Sequence, residues 1–258
     1  MPKTKLTFKK SKKVLRKRCK TLTTELGKAS KIFKDGVTSN AVKGFTKKVA
    51  SETEAAVGNT AVVSYEVDLS VQNVGLLMFC AQTHGCLISE WHSFLNRVFG
   101  ELADCCLTKG DSDLVTKNLE VSLKGADFST KTKLRESIKE VLCEKFSSKG
   151  HQERLGKLRK ILKINNECTD QTKLDNINAL TKTIIKHIVV RNCLEHADCK
   201  VRERDLRYAG YGDKIPMLNT DSSTREFSEG EEIFVSQNDI SELEKAILDY
   251  MNYFEVEL

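Results

Sequence analysis

The chain has 258 residues, 40% of them hydrophobic, and a net charge of +6. That length holds one domain with an extension or two small ones, and that apolar share excludes a chain disordered throughout. Only two prolines and few aromatic strand-like runs favour a mainly helical protein, and the longest apolar run, Val74–Ala81, falls well short of a membrane span, so no membrane contact is expected.

The first segment is basic. Residues 1–49 hold 16 Lys and Arg against Glu25 and Asp35, a charge of +14 that leaves −8 on the rest of the chain. Leu15, Leu22, Leu26 and Ile32-Phe33 give Lys3 to Lys34 a thin apolar stripe at helical spacing. Lys9, Lys10, Lys12, Lys13, Arg16, Lys17 and Arg18 crowd into one stretch that could neutralise several RNA phosphates. A solvated tail or a localisation signal has the same composition. Gly36–Gly58, rich in Ser, Thr, Gly and Ala, reads as a linker, so residues 1–58 form a basic arm and linker and 59–258 a helical domain.

The body opens with an apolar stretch, 61–83, read as helix, although Val62-Val63 and the alternation over Val67–Val71 leave a strand open. Trp91, Phe94, Leu95, Val98, Phe99 and Leu102 then follow helical spacing along one apolar face, which is a core pattern. Further helices are expected at 131–146, 151–164 and 172–197. Beyond a turn at Gly210–Asp213, Lys214–Leu218 is read as an extended piece pairing with Glu231–Val235 in a small hairpin. Ser236 and Asp239 form a capping box for a final helix carrying Ile240, Leu243, Ile247, Tyr250 and Phe254 on one face.

Nine cysteines, an odd number with no Cys-x-x-Cys, and a polar N-terminus without an apolar export segment point to reduced thiols in the cytoplasm. Cys193, His196 and Cys199 could be drawn as zinc ligands, but zinc sites use tighter pairs and buried thiols serve as small hydrophobes. No metal and no cofactor is expected. No internal repeat and no phosphate-binding glycine loop is present.

The stretch with the most chemistry is Arg191-Asn192-Cys193-Leu194-Glu195-His196. With 11 Arg, 13 Asn and 5 His in the chain, Arg-Asn followed by His at that distance is expected roughly 0.01 times by chance. On a helical wheel, Leu174, Ile177, Leu180, Ile184 and Ile188 form an apolar stripe that Arg191, Asn192 and Glu195 continue, with His196 at its edge. Val189, Val190, Cys193 and Leu194 make the opposite side apolar. The helix end is thus expected to be enclosed, with polar groups that need partners. In a structural account, Arg191 pairs with a carboxylate such as Glu195, and His196 caps the helix C-terminus. In a functional account, histidine moves protons near neutral pH and the arginine fork holds a phosphorane.

Arg191-Asn192 and His196 match the Arg-Asn-x-x-x-His signature of the HEPN superfamily, and the lead-in Ile184–Val190 is similar to that family's final bundle helix. The specific match spans about 25 residues, with a looser likeness in helix pattern from about residue 60 to the end. The resemblance implies a HEPN-like helical bundle and a metal-independent endoribonuclease of phage defence, toxin–antitoxin or stress systems. It implies His196 as general acid/base, Arg191 as phosphate binder and Asn192 as orienter of the histidine. It also implies a homodimer that brings two motifs together, with an antitoxin or other regulatory partner. Some toxin members carry a modified Tyr two residues after the histidine; Asp198 stands there, so that regulation is not expected. His187, nine residues before His196 on the same helix, is expected to serve packing or solvent, and His84, His92 and His151 show no companion pattern and are weaker candidates. The rival is a non-catalytic HEPN-like scaffold that binds RNA or protein; a third reading is an RNA- or ribosome-associated protein with an accidental hexapeptide.

Overall fold

The computed structural model describes residues 5–36, 60–109, 115, 129–162 and 170–257. Seven helices lie among them: α1 (Lys9–Gly36), α2 (Thr60–Lys109), α3 (Lys131–Ser147), α4 (His151–Ile161), α5 (Gln171–His196), α6 (Glu203–Ala209) and α7 (Gln237–Met251). Four short strands accompany them: β1 (Lys5–Leu6), β2 (Ile215–Leu218), β3 (Thr224–Phe227) and β4 (Val256–Glu257). The protein is mainly helical, with a small antiparallel hairpin and a final helix near the C-terminus. Of the expected linker Gly36–Gly58, all but Gly36 lies outside the described residues. The stretch over which a strand stayed open is helical and belongs to α2.

The chain divides into two compact units. One comprises Met1–Arg18, Ile88–Ile185 and Lys245–Leu258; the other comprises Cys19–Leu87 and Lys186–Glu244.

In the first unit the apolar face read from the sequence is the core. Trp91, Phe94, Leu95, Val98, Phe99 and Leu102 of α2 are all fully buried. Trp91 meets Tyr250 and Phe254 edge-on, with ring centroids 5.6 and 6.0 Å apart, and Phe99 stacks on Phe146 of α3 at 4.1 Å. The amphipathic start of α1 belongs here too. Phe8, Ser11 and Leu15 are buried, Ser11 hydrogen-bonds Glu101, and β1 pairs antiparallel with β4 in the register Lys5↔Glu257 and Leu6↔Val256.

The second unit contains the hairpin and the C-terminal part of α5. Strand β2 lies where the sequence places it, but its partner is β3, in the register Ile215↔Phe227 to Leu218↔Thr224. The tight turn decides this: Asn219 and Ser223 bond through backbone at 2.8 Å and through side chains at 2.9 Å, and the Asp221 carboxylate accepts from Ser223. The expected partner, Glu231–Val235, lies beside the segment after α5 instead, through a Lys200↔Glu232 bridge and a Val201 N–H to Glu231 carbonyl bond of 3.0 Å. The capping box at α7 forms as expected, and its Asp239 also accepts the Leu218 N–H at 2.7 Å. One buried carboxylate therefore ties the hairpin to the last helix.

Candidate functional site

Helix α5 ends at His196 in a sharp reversal. The N–H groups of Ala197 and Cys199 both reach back to the Cys193 carbonyl, at 3.1 and 3.2 Å, while Asp198 and Cys199 hold φ of +49° and +62°. Left-handed residues commonly end helices, but only glycine adopts that conformation without steric cost. The reversal folds α6 back beside the end of α5, and α6 itself closes at Gly210, whose φ is +70°. Between them lies an open pocket of about 370 Å³ lined by Val189, Asn192, His196, Arg202, Arg204, Asp205 and Tyr208.

Two of the three motif residues meet in this pocket. Asn192 is half-buried, whereas His196 stands at the helix end with 68% of its side chain exposed. Arg191 does not line the pocket. Its Nε donates to Glu195 Oε1 at 2.8 Å, the i, i+4 pair of the structural account, and its Nη groups make no hydrogen bond among the described residues. Glu195 Oε2 lies 3.7 Å from His196 Nε2, so one carboxylate sits between the cation and the imidazole. Helix α2 approaches closely at this point, since a Cβ on Gly85 would stand 3.4 Å from Glu195 Oε1. The enclosure expected for the helix end holds on one side only. Val189, Val190 and Cys193 are buried, but Glu195 and His196 are exposed because the reversal after His196 leaves that side open.

Arg202 and Asp205 set the floor charge. The guanidinium grips the carboxylate through Nε at 2.6 Å and Nη2 at 3.1 Å, and the Arg202 backbone N–H adds a bond of 3.2 Å. Burial would raise the carboxyl of Asp205, but these bonds outweigh it and hold it below the usual range. Asp205 also accepts from Cys193 Sγ at 3.5 Å. Burial and then the Asp205 charge push that thiol up to about 12, so it stays protonated near neutral pH. Among the described residues, no group of three or more His, Cys, Asp or Glu is placed to hold a metal ion.

One turn before Arg191, the same helix carries a buried polar chain. His187 Nε2 lies 2.9 Å from Glu242 Oε2, and His187 Nδ1 lies 3.0 Å from His84 Nε2 on α2. Lys186 donates to the same Glu242 oxygen at 2.6 Å. The carboxylate can only accept, so His187 carries its proton on Nε2; its Nδ1 then accepts, which places the His84 proton on Nε2 as well. The His84 Nδ1 lone pair ends the chain with no donor among the described residues. Burial keeps both rings neutral, lowering His84 well below the usual histidine range, with His187, Arg191 and Lys186 adding to the effect. Burial also lowers His187, against the raising hydrogen bond to Glu242.

Arg204, Tyr208 and the His84–His187–Glu242 chain are absent from the candidates read off the sequence. The run Arg202-Glu-Arg204-Asp-Leu-Arg207-Tyr208, three arginines in six residues just after the motif, is the signal that could have raised the first two. Nothing in the sequence joins His84 to His187, 103 positions apart. Of the basic candidates on α1, Lys9, Lys10, Lys13, Arg16, Lys17 and Arg18 are exposed and Lys12 is half-buried. Arg16 donates to Asn252 at 3.1 Å, and Arg18 lies 3.8 Å from Glu90. They stand on the outer face of a helix whose other side is core, with Ser11, Leu15 and Cys19 buried. No described helix is long and apolar enough to cross a membrane.

Comparison of the chain with protein-family models, with curated proteins and with solved structures finds no match.

Proposed function

We propose that the chain is a metal-independent endoribonuclease that cleaves RNA by internal transesterification at the α5–α6 pocket. The observation that carries this reading is the meeting of Asn192 and an exposed His196 in an open pocket walled by Arg202 and Arg204. In the reaction, the RNA 2′-oxygen attacks phosphorus while a base takes its proton. The bond to the 5′-oxygen breaks as an acid protonates that oxygen, leaving a 2′,3′-cyclic phosphate and a 5′-hydroxyl.

His196 is the proton-transfer group, since an imidazole serves as base or acid near neutral pH. Asn192, one turn away on the same helix face, orients the ring or the phosphate. Arg191 stands outside the pocket wall with Glu195 on its Nε, so its part in the proposal is to reach in with its Nη groups once RNA is bound and hold the phosphate. A single histidine gives one of the two proton transfers, so the reading includes a homodimer in which a second copy supplies the other. The HEPN-type spacing supports this arrangement, and the family's role in defence or toxin systems comes with it as part of the proposal. The exposed lysines and arginines of α1 would add sequence-independent, salt-sensitive attraction to RNA.

A specific observation favours the second reading, a non-catalytic RNA-binding scaffold: Arg191 is already paired with Glu195, as a purely structural motif requires. One experiment separates the two. The purified chain is incubated with RNA in excess EDTA, and product ends are mapped. Cleavage leaving 2′,3′-cyclic ends, lost in Arg191→Ala and His196→Ala chains that keep the parent circular dichroism, supports the nuclease. Folded variants that leave RNA turnover unchanged would sink it.

A further inference from the structure

The pocket has a wall that the proposed cleavage chemistry does not use. Helix α6 carries Arg204 and Tyr208 four residues apart, so both side chains share one face, and both line the pocket with His196. Their states are unusual for this chain. Tyr208 is 42% exposed, whereas Trp91, Phe94, Phe227, Tyr250 and Phe254 are buried. Arg204 makes no hydrogen bond or ion pair among the described residues, whereas the arginines flanking it are engaged. Arg202 is held by Asp205 at 2.6 Å, and Arg207 lies 3.5 Å from Glu203. The acids of α6 thus neutralise Arg207 within the helix and Arg202 just before it, and leave Arg204 open at the pocket. Asn192 brings an amide, with both a donor and an acceptor, to the same space.

An exposed ring, an unpaired guanidinium one turn away and an adjacent amide are the groups that hold one unpaired nucleotide. The ring stacks on the face of a base, the guanidinium takes the flanking phosphate, and the amide meets a base edge or a 2′-hydroxyl. A duplex offers none of its base faces, so such a site selects single strands. The volume of about 370 Å³ lies in the range of pockets that hold a small ligand, one nucleotide and not a helix. We infer that Arg204 and Tyr208 form a stacking subsite for a nucleotide of single-stranded RNA, next to His196. The inference rests on the reading of this pocket as an RNA site, and it adds which form of RNA enters and what grips it.

The test uses the full chain carrying His196→Ala, so that RNA stays intact, with a fluorescein-labelled oligouridylate and a blunt RNA duplex of equal length as probes. The single strand binds and the duplex binds at least about tenfold more weakly at the same salt. Tyr208→Ala weakens single-strand binding about tenfold, while Tyr208→Phe restores it. Arg204→Gln lowers the slope of log affinity against log salt by about 0.7, the loss of one phosphate contact. Tyr208 is exposed, so its variants are expected to stay folded, which circular dichroism checks. Equal affinity for duplex and single strand, or full affinity in Tyr208→Ala, overturns the subsite. The two proposals fail separately. If the parent chain cleaves RNA to cyclic ends but Tyr208→Ala leaves KM unchanged, the subsite falls and the nuclease stands. If Tyr208→Ala loses single-strand affinity while no variant or parent cleaves, the subsite stands and the nuclease falls.

Discussion

His187 and His196 sit nine residues apart on one helix, and the chain treats them in opposite ways. His187 is fully buried between Glu242 and His84, with its tautomer fixed by a carboxylate that can only accept. His196 is mostly exposed at the helix end, with the Glu195 carboxylate 3.7 Å from its Nε2. The difference follows how far the helix is covered. Where α5 is covered, its polar groups are satisfied internally and contribute to stability; where the reversal at Asp198 and Cys199 uncovers it, they are exposed. Catalytic proton transfer needs an accessible ring, and His187 has no path to substrate despite the better hydrogen-bond geometry. The comparison therefore predicts that removing His187 is felt as unfolding and removing His196 as lost chemistry.

The largest expected effect on stability is His187→Ala. It opens a cavity, strips one partner from Glu242 and leaves His84 Nε2–H buried without an acceptor, a combined cost of about 3 kcal/mol. Urea unfolding of the two variants checks this, with His196→Ala expected within about 0.5 kcal/mol of the parent because its side chain is exposed. Equal losses for the two histidines would erase the distinction between covered and open helix.

Much of the fold is legible in the sequence because it depends on short-range periodicity. The spacing of Trp91, Phe94, Leu95, Val98, Phe99 and Leu102 forces one face inward whatever it meets, and all six are buried. The hairpin is legible at β2, where burial alternates, but not at β3, where Thr224, Arg225 and Glu226 are all exposed and only Phe227 turns inward. An edge strand with no apolar alternation leaves no periodic trace; the turn at Asn219–Ser223 selects it. The site divides in the same way. Asn192 and His196 share a helix face, so spacing alone brings them together. Arg204 and Tyr208 reach them only through two left-handed residues after the helix, and no local pattern announces that turn at Asp198 and Cys199. The His84–His187 contact depends on how distant segments pack, which spacing along one segment does not encode.

Acid should act on the covered histidines next. Burial keeps His84 and His187 neutral in the folded chain, with Lys186 and Arg191 adding to the cost of a further positive charge and Glu242 and Asp239 opposing it. Unfolding exposes both rings, which then take protons below about pH 6.5. Since the unfolded chain binds more protons there, stability is full above about pH 6.5 and falls as the pH drops. Each ring that stays neutral in the folded chain adds to that decline. His151 in the first unit behaves alike, because burial, with His92 and Arg154, lowers its pKa to about 3. Denaturant midpoints measured across this range should decline on acidification, and a His84→Asn chain, less stable at neutral pH, should decline less steeply. A midpoint that stays level from pH 7 to 5.5 would mean the pair is not buried neutral.

The smallest effect probes the open end alone. Glu195 binds Arg191 Nε from a position 37% exposed, next to an arginine 27% exposed, and an i, i+4 pair of that kind contributes about 0.3–0.5 kcal/mol. Glu195→Gln should therefore leave urea stability nearly unchanged. It keeps an oxygen that can accept from Arg191 Nε but removes the negative charge standing between Arg191 and His196. A phosphate approaching both then meets one less repulsion, so RNA affinity should rise by a few-fold at low salt and converge on the parent at high salt, where exposed charges are screened. The same substitution in a purely structural motif would leave RNA affinity where it was at every salt concentration. Glu195 thus reports whether the exposed end of α5 exists to close on itself or to receive an anion.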